Sequence, residues 1–131
     1  MDLGLTGKVA IVTGGSDGIG KAAAISLASE GAKVAIVGRT QEKLDTAVSE
    51  IKNASGGDAI GVAADVSVES DVKAMVDKVL GEFGQLDILV NNAGTSSATT
   101  LEQMTDEQLK VDFGIKVYGA VYCARAALPH L

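Results

Sequence analysis

The stretch KVAIVTGGSDGIG, residues 8–20, decides the fold. Five residues suited to a buried strand run into four glycines, Gly14, Gly15, Gly18 and Gly20, and an alanine-rich segment follows over 18–30. Glycine is costly in conformational entropy, so four in so short a span mark a sharp turn or a place where something approaches the backbone closely. Gly31 supplies a stop for the helix that the alanine-rich segment predicts.

Working outward, the same strand type recurs. KVAIV appears again at 33–37, and AIGVAA (59–64) and LDILVN (86–91) have similar character. The apolar runs are continuous rather than alternating, which predicts strands covered on both faces, as in a parallel sheet. Helical patterns separate them. Leu44, Ala47, Val48 and Ile51 share one face of a short helix closed by the glycines at 56–57. Val72, Met75, Val76, Val79, Leu80 and Phe83 follow the i, i+3, i+4, i+7 rule. TDEQL then opens a last helix near Thr105 or Asp106, with a cap and early acids, and this helix is predicted to run over 106–128 up to Pro129. The order β-α-β-α-β-α-β-α is that of a doubly wound parallel α/β sheet with right-handed crossovers. The 131 residues predict one domain, without a linker or low-complexity tract.

Composition narrows the classes. The chain is 47% hydrophobic and 21% charged, and its only aromatic residues are Phe83, Phe113, Tyr118 and Tyr122, so the core is aliphatic. A net charge of −6 argues against nucleic acid or an anionic membrane as the main partner. Cys123 is the single cysteine, which fits a reducing compartment. MDLGLTGK lacks the basic and apolar regions of a signal peptide, and no run has the length of a membrane span, so the expected location is the cytoplasm. His130, the one histidine, has no cysteine or carboxylate at ligand spacing, and no metal site is expected.

Gly14, Gly18 and Gly20 stand where the first strand meets the first helix. A dinucleotide site needs glycine there for the turn, for close approach of the main chain to the pyrophosphate, and for tight helix–strand packing. The pyrophosphate then rests on the free N–H groups of the helix N-terminus. The strand before and helix after supply the context that this fingerprint requires.

The form T-G-x-x-x-G-x-G in TGGSDGIG resembles the short-chain dehydrogenase/reductase family in its compact form. NNAG (91–94) at the end of the fourth strand and DV (65–66) beyond the third are further matches, and the likeness extends to ARAALPHL at the chain's end. It implies a Rossmann-type NAD(P)-binding sheet cut off after the fifth helix of the family pattern. By the same resemblance, the backbone around Gly14, Ser16, Gly18, Ile19 and Gly20 cradles the dinucleotide. Asp65 accepts from the adenine amino group and Val66 lines the adenine slot. Asn91, Asn92, Ala93 and Gly94 close the sheet near the nicotinamide ribose, although Asn91 is equally suited to tying strands together.

The end of the second strand bears on which dinucleotide binds. A carboxylate there would suit a ribose 2′-OH; the chain has Gly38 and Arg39, and arginine suits a 2′-phosphate. NADP(H) is therefore favoured over NAD(H), although Arg39 can also be a solvated residue beginning the next helix. Asp17 stands where NADP-using relatives often carry a second basic residue, and an acid facing the phosphate weakens the preference.

The resemblance implies hydride transfer between nicotinamide and a small carbonyl or alcohol substrate. The family performs it with a serine and a Tyr-x-x-x-Lys pair from the fifth strand and following helix. No Tyr-x-x-x-Lys occurs in these residues, and Ser96 and Ser97 lie upstream of the family's serine. Lys116 occupies the family's asparagine position. A helical wheel puts it in an apolar stripe with Leu109, Phe113, Ala120, Cys123 and Ala127, from which its ammonium can enter the cofactor cleft or snorkel to solvent. An uncovered edge at DILVN and a helix face bearing Tyr118, Tyr122 and Arg125 predict a homo-oligomer or a completing segment. A non-catalytic NADP(H)-binding module is the alternative to the binding portion of an oxidoreductase.

Overall fold

The computed structural model describes residues 1–94 and 99–131. Its strands are β1 (Val9–Thr13), β2 (Lys33–Gly38), β3 (Ala59–Ala63) and β4 (Ile88–Val90), and its first three helices are α1 (Gly18–Ser29), α2 (Gln41–Ser55) and α3 (Glu69–Phe83). The last helical stretch is α4 (Asp106–Phe113), a π-helical turn (Gly114–Gly119), α5 (Ala120–Ala127) and a 3₁₀ turn (Leu128–His130). The strands form one parallel sheet in the order β3-β2-β1-β4.

Burial explains why β1 and β2 read as unbroken apolar runs. Val9 and Ile11 of β1 and Ala35 and Val37 of β2 pack toward α3 and α5, in a core with Val72, Met75, Val79, Cys123 and Ala127. Val12, Val34 and Ile36 face the opposite layer, packing with Ala24, Ala28, Leu44, Ala47 and Ile51 of α1 and α2. Alternate residues thus point to opposite faces, and both faces are covered.

The chain builds from β1 outward through β2 to β3, then returns through α3 to place β4 on β1's other side. This reversal is the topological switch point at which open α/β sheets take ligands. β4 is shorter than LDILVN suggests, and Asp87 just before it joins β1 through both its main-chain N–H, which donates to the Val9 carbonyl at 2.9 Å, and its side chain. Its Oδ2 accepts from the Val9 N–H at 2.9 Å and from Gln85 Nε2 at 2.7 Å. The Val9 bond first, then Gln85, holds the Asp87 carboxyl below its usual range. As expected, β4 ends the sheet, bonded only to β1 among the described residues. No helix among those residues is long and apolar enough to cross a membrane.

The last helix departs from expectation in its middle. Its start is as predicted: Thr105 Oγ1 accepts from Gln108 N at 3.2 Å while the Gln108 side chain accepts from Thr105 N at 3.0 Å, a capping box. The π turn then inserts one residue into the winding. The buried stripe is Ile115, Gly119, Cys123 and Ala127, in place of the expected 116 and 120. Leu109 and Phe113, also expected in the stripe, are 43% and 52% exposed. Gly119 lets the helix pack closely here, since a Cβ on it would lie 2.7 Å from Val66 Cγ2. Tyr118 is exposed, as predicted, but Tyr122 packs against the core, with ring centroids 6.1 Å apart.

Candidate active site

Four strand ends converge on a cleft of about 340 Å³, reached by Gly14 after β1, Gly38 at the end of β2, Ala64 after β3 and Ala93 after β4. The glycine turn shapes its inner end. Gly14 has φ +67° and Gly18 φ +53°, left-handed values that favour glycine. Gly14 also lies against the β4 loop, where an added Cβ would come within 3.0 Å of Ala93 Cα. Gly20 supplies the close helix–strand packing: a Cβ there would sit 2.9 Å from the Gly14 carbonyl carbon, and nearer still to its oxygen and the Asn92 amide nitrogen. Gly15, which the motif leaves as an open position, is required as well. A Cβ on it would lie 2.5 Å from Ile36 Cγ2 of β2.

Thr13 locks the turn to the loop after β4. This buried residue donates to the Val90 carbonyl at 3.3 Å and accepts from the N–H groups of Asn92 and Ala93, both at 3.0 Å. Asn92 donates from Nδ2 to the Gly14 carbonyl at 3.1 Å. The tie between strands that Asn91 was suited to make is therefore made by Asn92. Asn91 reaches the Ala120 carbonyl at 3.5 Å and lines a smaller cavity with Thr13, Lys116 and Cys123.

Gly14, Ser16, Asp17, Arg39, Asp65, Val66, Ala93 and Gly94 all line the main cleft. Gly20 and Asn92 stand behind it as packing. Gly18 and Ile19 form the first turn of α1, where the Asp17 side chain makes no capping hydrogen bond and Ile19 is exposed. The amides of this turn are thereby left available to a ligand. Ser96 and Ser97 lie outside the described residues. Lys116 leans over Gly94, with its Cε 3.3 Å from where a Gly94 Cβ would be, and remains exposed. The extra residue of the π turn rotates it out of the buried stripe and toward the loop after β4.

Asp65 accepts from the Ser67 hydroxyl at 2.6 Å and the Ser67 N–H at 3.0 Å. The hydroxyl bond is the chief reason its carboxyl lies below the usual range; partial burial opposes the shift, while the Ser67 amide and the Arg39 charge support it. Sequence reading did not assign to the site Val37 and Ala64 at the strand ends, Ile115, brought inward by the π turn, or Thr40 and Lys43 at the start of α2, all of which line the same walls. The result is a cleft with amide donors at one end, cations at its mouth and an ionised carboxylate beside an apolar slot. Such a site suits a ligand carrying both phosphates and an aromatic base.

Fold and cleft together define a Rossmann-like nucleotide-binding architecture. The model of the short chain dehydrogenase family matches residues 8–131, and the chain belongs to that family. An uncharacterized oxidoreductase of Methylorubrum extorquens is 41% identical over 127 residues, 97% of this chain and 51% of that protein. The crystal structure of L-sorbose reductase from Gluconobacter frateurii, complexed with NADPH and L-sorbose, superposes with a TM-score of 0.90 at 42% identity, over 98% of this chain and 49% of that one. NAD+-bound xylitol dehydrogenase also reaches 0.90, at 32% identity, over 96% and 48%. The chain thus spans about half the length of the relatives it matches.

Proposed function

We propose that these residues form the dinucleotide-binding portion of an oxidoreductase that moves hydride between a nicotinamide cofactor and a small carbonyl or alcohol substrate, with NADP(H) favoured over NAD(H). The observation that carries the reading is the end of β2. Gly38, Arg39 and Thr40 line the cleft with a cation and no carboxylate, at the position from which a strand end reads the adenosine ribose. A guanidinium binds a 2′-phosphate through charge-assisted hydrogen bonds and has no counterpart in NAD(H) to engage. The pyrophosphate lies on the first-turn amides of α1, and the base lies between Asp65, Val66 and Ile115.

The part these residues play is to hold and orient the cofactor. Lys116, leaning over Gly94, stands on the nicotinamide side of the cleft and is placed to face the reacting end. The neighbour complexed with NADPH supports the preference, and the one bound to NAD+ makes the measurement necessary. We place the protein in the cytoplasm, as a homo-oligomer or joined to a completing segment along the open edge of β4.

Calorimetric titration of the wild type and Arg39→Ala with NADPH and NADH tests the reading. Hydrogen bonds to charged groups contribute about 1.5–3 kcal/mol, so Arg39→Ala should weaken NADPH by about tenfold or more and NADH by much less. Equal losses for the two cofactors would count against the assignment.

A further inference from the structure

The two cations at the mouth of the cleft are not equivalent. Arg39 stands between the cleft and a hollow of about 280 Å³ that Asp65, Ser67 and Lys110 also line, and Asp65 already feels its charge. Lys43, the third residue of α2, stands on the opposite side, between the cleft and a groove shared with Ser16, Asp17 and Glu50. In that groove Glu50 is taken by Lys21 at 2.6 Å. The Lys43 side chain makes no hydrogen bond or ion pair among the described residues. Between the two cations lies Gly38, where Ser16 Oγ is 3.9 Å from the position of an added Cβ.

This arrangement fixes where a 2′ substituent would lie. With the pyrophosphate on the glycine turn and the base toward Asp65, the adenosine ribose spans the floor at Gly38. Its 2′ position then faces the start of α2, with Arg39 on the base side and Lys43 on the α1 side. A phosphate monoester carries nearly two negative charges at neutral pH, and one guanidinium does not neutralise it. We infer that Lys43 is a specificity-determining residue of the cofactor site, supplying the second cation that Asp17 withholds from the glycine turn. The inference rests on the NADP(H) reading above and deepens it. Asp17 and Glu42 line the same groove as Lys43. With NAD(H) bound they balance the lysine's charge, so Lys43 adds little to that cofactor.

The test is calorimetric titration of NADPH and NADH into wild type, Lys43→Met and Lys43→Arg at two salt concentrations. Lys43 is exposed on the first turn of α2, and methionine keeps its apolar stem and helix propensity, so folding is retained. Lys43→Met should raise the NADPH Kd about tenfold, equivalent to about 1.4 kcal/mol, and leave NADH within about twofold. It should also flatten the salt dependence of NADPH binding, and Lys43→Arg should restore both. Equal weakening of the two cofactors, or an unchanged NADPH Kd, overturns the assignment of Lys43 while the wild type's preference for NADPH leaves the NADP(H) reading standing. A wild type that binds neither cofactor, or prefers NADH, overturns that reading and the inference with it.

Discussion

Replacing Gly20 with alanine probes the joint between the first strand and first helix most sharply. The new Cβ would fall 2.9 Å from the Gly14 carbonyl carbon and closer still to its oxygen. That neighbour is backbone, so it cannot swing aside as a flexible side chain would. Overpacking of this kind costs about 1–3 kcal/mol, and a backbone obstacle puts the site at the upper end. The Asn92–Gly14 hydrogen bond at 3.1 Å crosses the same space, and losing it costs about 1 kcal/mol more. Alanine's better helix propensity returns about 1 kcal/mol, for a net loss of about 3 kcal/mol. In a chain of this size that lowers Tm by about 10 °C, read by circular dichroism on heating. Because the displaced carbonyl belongs to the turn, affinity for NADPH should fall as well. Gly18→Ala is the control: no atom lies within 4 Å of its Cβ position. Only its φ of +53° opposes the change, a cost of about 1–2 kcal/mol. A Gly20→Ala protein within about 0.5 kcal/mol of wild type, the ordinary range for a surface change, would refute the geometry drawn for the turn.

Thr13→Val should destabilise the protein by about 2–4 kcal/mol, because two amides, Asn92 and Ala93, lose their acceptor at a buried site. Urea unfolding measures this, with Thr13→Ser expected to retain most of the stability; a Val variant as stable as wild type would contradict the role. Burial pushes the Cys123 thiol up to about 11, so it should react slowly with an aromatic disulfide at pH 8 and readily once denatured. Rapid labelling of the native protein would mean that α5 does not pack against α3 as described.

The sheet was legible because β1 and β2 bury both faces, and that shows as apolar runs without alternation. The glycine turn was legible because its glycines meet steric demands that no other residue satisfies. What remained hidden depends on geometry between distant segments. Nothing near Thr13 in sequence signals that its hydroxyl gathers two amides from the loop after β4. Gly15 looked like a variable position because Ile36, the side chain that excludes a Cβ there, lies one strand away. The π turn escaped a helical wheel, which assumes constant winding, and so displaced Lys116 and concealed Ile115. Nothing in the sequence around Lys43 marks it, because its place on the cleft wall depends on where α2 begins relative to the sheet.

The central claim is that dinucleotide phosphates rest on the amides that open α1. The most direct measurement is a ¹H–¹⁵N correlation spectrum recorded through a titration with NADPH. The account predicts saturable shifts that are largest at the amides of Ser16, Gly18, Ile19 and Gly20, with further shifts at Arg39, Asp65 and Gly94. A folded protein whose glycine-turn amides stay in place at saturating or millimolar NADPH would contradict it.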